Sequence, residues 1–137
     1  MHPGYSLFIS RELDPVDYQC IRQESKDFSP GERSPEWGNV AVLGRSDKGV
    51  LIAGGTAYWS GSWGRIDAIW SSALPFSEEM ASLIIHMLER ELEKSRCQTA
   101  ELSPTTEVGM RIAHRLGYTA TENRIWSKSL TAGLRSA

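Results

Sequence analysis

Apolar and polar residues along the chain follow two periods, which predict six strands and three helices. Runs with an alternating or continuous apolar pattern and flanking turn residues predict strands at about residues 5–10, 39–45, 50–59, 63–72, 98–102 and 124–130. Helices are predicted in the gaps after the first, fourth and fifth of these runs. The order is therefore strand, helix, three strands, helix, strand, helix, strand.

The clearest amphipathic helix covers about residues 76–96. Its apolar positions recur at helical spacing, namely Met80, Leu83, Ile84, Met87, Leu88 and Leu92. Glu89 and His86 fall away from this stripe, so both are expected in solvent. Asp14 before Pro15 predicts the start of the first helix, which should run to about residue 26, and Gly117 predicts the end of the third.

Composition indicates one compact domain, which we place at residues 5–130, with residues 131–137 as a disordered tail. The chain has 137 residues, of which 40% are hydrophobic and 23% charged. A net charge of −2 with interspersed signs gives no basis for a nucleic-acid or membrane partner. Cys20 and Cys97 lack metal-ligand spacing, which predicts reduced thiols and no metal site. With no signal peptide at the start, the expected location is the cytoplasm.

Five segments carry a resemblance to a known family. They read GGTAYW, WGRIDAIW, HMLERELEKSRC, AELSPTT and RIAHRLGYTAT, in that order, between about residues 7 and 130. Together they resemble the GCN5-related N-acetyltransferase (GNAT) superfamily. This resemblance implies an α/β (α+β) fold with a central mixed, mostly antiparallel twisted sheet of about six strands and about three flanking helices. It also implies acetyl transfer from acetyl-CoA to an amine.

The start of the long helix departs from the family pattern. In active relatives a glycine-containing loop there binds the pyrophosphate of acetyl-CoA through backbone N–H groups, and that motif falls here on residues 76–81. Phe76, Glu78 and Glu79 occupy motif positions, and Ser77 is a predicted N-cap. A carboxylate about 4 Å from a phosphate costs about 1 kcal/mol in water and about 4 kcal/mol near a protein surface. A helix dipole offers an anion only about 0.3–1 kcal/mol. We therefore expect this helix end to reject phosphate, whether Glu78 and Glu79 are functional or are ordinary capping acids.

The third helix departs from the family at a second position. Many relatives carry a tyrosine there that protonates the departing CoA thiolate, and the resemblance places that position on Ala113. Alanine has no proton to donate. His114 is the candidate replacement, and the alternative is that it is a surface or packing residue.

The remaining candidate site residues lie mostly on the third and fourth strands. We predict substrate contacts from Tyr58, Trp59, Arg65, Trp70 and Phe76. Aromatic walls with nearby carboxylates suit a flat or cationic ligand, although the five tryptophans could instead be core residues.

Asp67 is the candidate catalytic acid–base residue, because the resemblance places a general base in the fourth strand. The alternative is a salt bridge between Asp67 and Arg65. Strict alternation along the strand puts Arg65, Asp67 and Ile69 on one face, and Ile66, Ala68 and Trp70 on the other.

Three functional hypotheses follow. The leading one is a repurposed GNAT-fold protein that uses no cofactor and binds or transforms a small molecule by acid–base chemistry, with Asp67, His114, Glu78 and Glu79 as candidate catalytic residues. The second is a divergent N-acetyltransferase that still uses acetyl-CoA. The third is a non-catalytic module that binds a partner protein, and that partner can be a second copy of this chain in a homodimer.

Overall fold

A computed structural model describes residues 4–12, 14–31, 34, 36–72 and 77–130 of the chain. Its strands are β1 Tyr5–Ser10, β2 Gly38–Ser46, β3 Leu51–Ser60, β4 Trp63–Ser71, β5 Thr99–Leu102, β6 Thr119–Ala120 and β7 Trp126–Ser129. Its α-helices are α1 Pro15–Glu24, α2 Ser77–Lys94 and α3 Glu107–Arg115, and a short 3₁₀ turn covers Glu122–Arg124. The predicted tail at residues 131–137 lies outside the described residues.

The strands form one sheet in the order β1-β2-β3-β4-β5-β7-β6. The pairing between β4 and β5 is parallel, and the other pairings are antiparallel. The mixed, mostly antiparallel architecture with three flanking α-helices is therefore confirmed. The sheet has seven strands rather than about six because β6 contains two residues, and a run that short shows no period in the sequence.

Helices α1 and α2 pack on opposite faces of the sheet, which we call the α1 face and the α2 face. A glycine pair in β3 allows both helices to approach closely. A Cβ on Gly54 would lie 2.6 Å from the side chain of Ile21 in α1, and a Cβ on Gly55 would lie 2.5 Å from Ile84 in α2. Since neighbouring strand residues face opposite sides, larger side chains here would displace one helix or the other.

The buried side of α2 differs in detail from the predicted stripe. Met80, Ile84, Leu88 and Leu92 are buried as expected, but Leu83 is 43% exposed. Glu89, expected in solvent, is only 3% exposed. The carboxylate of Glu89 accepts a 2.6 Å hydrogen bond from the Tyr118 hydroxyl and bonds from the Lys128 ammonium at 3.1 and 3.2 Å. Partners from distant parts of the chain therefore allow this charge to be buried.

The predicted start of α1 at Asp14 and the predicted end of α3 at Gly117 are confirmed, and the structure adds an N-cap at Thr106. Asp14 caps α1, its side chain accepting a 2.7 Å hydrogen bond from the N–H of Val16. Thr106 caps α3 in the same way through the N–H of Gly109, at 3.1 Å. Gly117 follows α3 with a φ of +95°, a conformation that favours glycine. Cys20 and Cys97 are both free thiols. Among the described helices, none has the length and apolar character needed to cross a membrane.

Candidate active site

The candidate site lies where β4 and β5 separate. Their parallel pairing covers three residue pairs and ends at Arg65 opposite Glu101, which we call the divergence point. Strand β4 continues to Ser71, so its outer edge beyond Arg65 pairs with no described strand. Unpaired backbone groups along a strand edge are available to an extended ligand.

A cleft of about 360 Å³ lies beside this free edge of β4. Its apolar walls come from β4, α2 and α3 through Ile69, Ala81, Val108 and Ile112. The volume falls in the range of small-molecule sites, which is roughly 300–1,000 Å³. The cleft can therefore hold one extended, largely apolar chain.

The segment after α1, residues 25–29, forms the remaining wall of the cleft. The Ser25 hydroxyl accepts a 3.3 Å hydrogen bond from the N–H of Ile69 on the free edge of β4. On the other side the segment pairs with the chain after β5. There the N–H of Ser29 donates to the carbonyl of Ser103 at 2.7 Å, and the N–H of Thr105 donates to the carbonyl of Asp27 at 2.8 Å. The segment thus occupies part of the space between the diverging strands.

A β-bulge at Asp67 changes which side chains share a face. Ala57 pairs with Ile66, but Thr56 pairs with Ala68, so Asp67 is an extra residue in β4. The prediction that Arg65 and Asp67 share a face is confirmed by their contacts. The placement of Ile69 with them is wrong, because the bulge shifts the alternation and Ile69 packs in the core beneath α2. Ala68 packs with Ile21 of α1 and therefore lies on the same side as Asp67.

The carboxylate of Asp67 is fully buried and is bound by groups from α1 and from the loop after it. It accepts a 2.6 Å hydrogen bond from the N–H of Gly31 and a 2.9 Å bond from the Tyr18 hydroxyl. Arg22 lies 4.0 Å away. These contacts hold α1 and the loop after it against the sheet. The general-base role of Asp67 stays a prediction.

The alternative role for Asp67, a salt bridge to Arg65, is not found. Arg65 instead donates from Nη2 to the Ser103 hydroxyl at 2.6 Å, while its buried Nε has no hydrogen-bond acceptor among the described residues. A Cβ on Gly31 would lie 3.0 Å from this Nε and 2.8 Å from the Tyr58 hydroxyl. The loop can therefore lie over Arg65 and Tyr58 only because residue 31 has no side chain.

The predicted substrate-contact residues divide between the two faces. Tyr58 and Arg65 are cross-strand partners on the α1 face, and Trp70 packs there with the small cluster around Ile21 and lines the cleft. Trp59 packs against the core on the α2 side. Phe76 lies outside the described residues. The predicted set thus splits into at least two groups, and its substrate contacts stay predictions.

Three aromatic residues on the α1 face contact each other, and we call them the aromatic wall: Trp37, Tyr58 and Trp63. The rings of Trp37 and Tyr58 are stacked with centroids 5.2 Å apart, and Trp63 lies 5.9 Å from Trp37 and 5.7 Å from Tyr58. Burial raises the pKa of Tyr58, the positive charge of Arg65 opposes this shift, and the carboxylates of Asp67 and Glu101 add to it. The aromatic wall therefore has one positively charged side chain, Arg65, and the carboxylates of Asp67 and Glu101 close to it.

Glu78 at the start of α2 is not an isolated charge. Its carboxylate forms an ion pair with Arg111 of α3, in which the guanidinium Nε lies 2.9 Å from Oε1. The next arginine on α3, Arg115, donates to the Ser82 hydroxyl at 3.0 Å. Arg111 and Arg115 lie more than thirty positions from Glu78 in the sequence. The phosphate repulsion predicted at this helix end therefore did not include their positive charges. Ser77 was predicted as the N-cap that precedes α2, but the helix begins at Ser77 itself.

Two further predicted positions lie on α3. Ala113 is fully buried in the core, so the position that the resemblance gives to a tyrosine is filled by packing. His114 is exposed, and its catalytic role stays a prediction. No group of three or more potential metal ligands occurs within the part of the chain that the structure describes.

Solved structures with the same architecture include several acetyltransferases. A Klebsiella pneumoniae protein assigned as an acyl-CoA N-acyltransferase superposes with a TM-score of 0.69 over 92% of this chain and 97% of its own, at 17% identity. The ribosomal-protein-S18-alanine N-acetyltransferase from Escherichia coli gives 0.63 over 91% and 94%, at 14% identity. Nourseothricin acetyltransferase gives 0.66 over 93% and 99%, at 11% identity. The chain has the GNAT fold.

No protein-family model matches the sequence, and no curated protein matches it significantly. The GNAT fold is therefore recognised from three-dimensional structure and from the order of short motifs. The expectation that the protein uses no cofactor is wrong, because the structures that share its fold include an acyl-CoA N-acyltransferase and N-acetyltransferases.

Sequence reasoning missed three residues of this region: Glu101, Ser103 and Arg111. The alternation in residues 98–102 places Glu101 on the other face of β5 from the buried residues Ala100 and Leu102. The face on which Glu101 lies could therefore have been predicted. The pairing of Arg65 with Ser103 and of Arg111 with Glu78 depends on contacts between distant elements. No local signal indicates them.

Proposed function

We propose that the protein transfers an acyl group from an acyl-CoA to an amine. The observation that carries this proposal is the separation of β4 from β5 beside a cleft that α2 and α3 enclose. The acetyltransferases that share the GNAT fold support it. The predicted small-molecule partner and the predicted homodimer stay predictions.

The cleft fits the extended pantetheine part of an acyl-CoA in size, and its lining also includes the acids Glu24, Asp27 and Glu78. Ile69, Ala81, Val108 and Ile112 would contact the apolar part of the chain, while the free edge of β4 offers backbone hydrogen bonds. Bound acyl-CoA would supply a thioester, whose C–S bond would break as the amine nitrogen forms the C–N bond, and the proton lost by the nitrogen would end on the departing CoA thiolate to give free CoA thiol. Glu78 lines the cleft near the start of α2, and Arg111 forms an ion pair with it.

The guanidinium of Arg111 supplies a positive charge near the start of α2, where the sequence alone predicted that phosphate is repelled. Its side chain is 58% exposed and that of Glu78 is 29% exposed, so the pair contributes little to stability and exchanges easily. The pyrophosphate of an acyl-CoA, which carries two negative charges in total, can replace the single carboxylate and bind the guanidinium bidentately. Substitution of Glu78 should therefore favour phosphate binding.

The test is calorimetric titration with acetyl-CoA, followed by measurement of thiol release with a panel of primary amines. We expect binding and amine-dependent release of CoA. Val108→Trp should fill the cleft and weaken acetyl-CoA binding at least tenfold. Met110→Trp is the matched control, because Met110 is exposed on the same helix and does not line the cleft. Absence of acetyl-CoA binding at millimolar concentration would overturn the proposal.

A further inference from the structure

The backbone N–H of Ile69 lies on the free edge of β4 but already has a hydrogen-bond acceptor. Ile69 pairs with Gly55 of β3, yet its N–H donates to the Ser25 hydroxyl at 3.3 Å. In an antiparallel ladder, alternate residues direct their N–H and carbonyl groups to the outer edge of the strand. An extended ligand that pairs with this edge would use the same N–H group. Ser25 therefore occupies a hydrogen-bonding position that such a ligand needs.

Ser25 lies where α1 ends and the 25–29 segment begins. Its extended backbone ends the helix, and its own N–H donates to the carbonyl of Ile21 at 3.0 Å. Its hydroxyl donates to the carbonyl of Phe28 at 3.1 Å. Both bonds hold Ser25 within its own part of the chain. Loss of the contact with Ile69 would therefore cost the hydroxyl its role as an acceptor and leave these bonds in place.

Residues 26–29 are bound to the chain between β5 and α3. Phe28 and Pro104 form an isolated antiparallel bridge. The N–H of Thr105 donates to the carbonyl of Asp27 at 2.8 Å, and the Thr105 hydroxyl donates to the carbonyl of Lys26 at 3.0 Å. The contact between the segment and the free edge of β4 can therefore break while residues 26–29 stay on the α3 side.

The cleft ends where the 25–29 segment meets β4. Residues 69–72 line the cleft along β4 and just after it, and none of the described β4 residues before Ile69 does so. Phe28 also lines the cleft and is only 3% exposed. The segment thus closes the cleft at Ile69, beside the contact with Ser25.

We propose that the hydrogen bond between the Ser25 hydroxyl and the Ile69 N–H is an autoinhibitory latch, which the pantetheine arm of an acyl-CoA displaces. An amide carbonyl of the arm would accept the Ile69 N–H in place of the hydroxyl. The latch is longer than the usual range of about 2.7–3.2 Å for such bonds, so a well-placed carbonyl can replace it. The inference rests on the proposed function and adds a residue that opposes binding of the ligand.

The test measures binding of acetyl-CoA and of pantetheine by calorimetry. Ser25→Ala should tighten binding of both ligands by roughly two- to tenfold, which is the effect of one typical net hydrogen bond. Ser25→Thr keeps the hydroxyl and should bind like the unsubstituted protein. Ser10→Ala is the matched control and should change neither affinity, because the Ser10 hydroxyl donates to the carbonyl of Glu12 and Ser10 does not line the cleft.

Hydrogen exchange at the Ile69 amide measures the latch in the absence of ligand. Exchange should be faster in Ser25→Ala than in the unsubstituted protein, and acetyl-CoA should slow it again. The amides of Ser29 and Thr105 should keep their protection when acetyl-CoA binds, because their bonds lie on the α3 side. An Ile69 amide that exchanges equally slowly in Ser25→Ala would show that there is no latch.

The two ligands separate the remaining outcomes. Weaker binding in Ser25→Ala would overturn the inference, because the hydroxyl would then be a ligand contact rather than a competitor, and unchanged affinity would overturn it as well. Tighter binding of both ligands without amine-dependent release of CoA would contradict the proposed function and leave the latch standing. Failure of every variant to bind either ligand at millimolar concentration would contradict both.

Discussion

Two acids on opposite faces of the sheet differ in what surrounds them. Glu89 on the α2 face is 3% exposed and is bound by the Tyr118 hydroxyl and the Lys128 ammonium. Glu101 on the α1 face is half-buried and has no hydrogen-bond or ion-pair partner among the described residues. A buried charge requires partners from the fold, whereas an accessible one can remain available to a ligand. Glu89 therefore stabilises the structure, whereas the carboxylate of Glu101 stays accessible to solvent.

The largest expected effect comes from removing the charge of Glu89. Glu89→Gln leaves the Lys128 ammonium without its carboxylate in a mostly buried position, and we expect a loss of about 3 kcal/mol in the free energy of unfolding. Urea denaturation measures it. Glu93→Gln on the same helix is the control and should change stability by less than about 0.5 kcal/mol. Equal effects of the two substitutions would show that burial does not distinguish these acids.

A smaller loss is expected at Asp67, the buried acid of the α1 face. Asp67→Asn removes the charge that binds the Gly31 N–H and the Tyr18 hydroxyl, which should cost about 2 kcal/mol. Hydrogen exchange at the Gly31 amide should also become faster. Asp47→Asn, in an exposed turn, should change neither quantity. A stable variant with unchanged exchange at Gly31 would show that Asp67 does not hold the loop.

The Tyr118 hydroxyl beside Glu89 makes stability depend on pH in the alkaline range. Burial and the Glu89 charge raise the pKa of Tyr118 well above its ordinary value of 10.0. Above pH 10 the unfolded chain therefore loses the phenolic proton while the folded protein keeps it, so stability falls as pH rises, by up to about 1.4 kcal/mol per pH unit. The contribution is complete below pH 10.

Urea denaturation between pH 8 and 11 measures this dependence. Tyr118→Phe should make the stability curve flatter above pH 10, after allowance for the lost hydrogen bond to Glu89. Identical slopes for the two proteins would contradict a raised pKa at this tyrosine.

The smallest effect on stability is expected at Glu78, which is accessible like Glu101. Glu78→Gln breaks a surface ion pair with Arg111 and should cost no more than about 0.5–1 kcal/mol. If the cleft binds acyl-CoA, the same substitution should increase its affinity severalfold because Arg111 is freed for the phosphate. Arg111→Ala should weaken binding of CoA but not of pantetheine, which has no phosphate. Unchanged CoA affinity in both variants would exclude Arg111 as a phosphate contact.

Much of the fold could be predicted because its signals are local. Asp14 and Thr106 cap their helices through bonds that span two or three residues, and the periods of α2 and of the longer strands persist over many positions. Strand β6, with two residues, gives no such signal. The bulge at Asp67 is also invisible in the sequence, since it is defined by how β4 pairs with β3.

The sequence by itself determined the order of the longer elements, the cap of α1, the end of α3 and the resemblance to the GNAT fold, because these depend on neighbours along the chain. Tertiary structure decided which acids are partnered. Glu89 meets Lys128, and Glu78 meets Arg111, across separations of 39 and 33 residues. No hydrogen bond or ion pair joins the carboxylate of Glu101 to another described residue, and its cross-strand neighbour Arg65 donates to Ser103. The sequence specifies that an acid is present. Whether its carboxylate already has a hydrogen-bond or ion-pair partner depends on which distant side chains the fold brings within hydrogen-bonding distance.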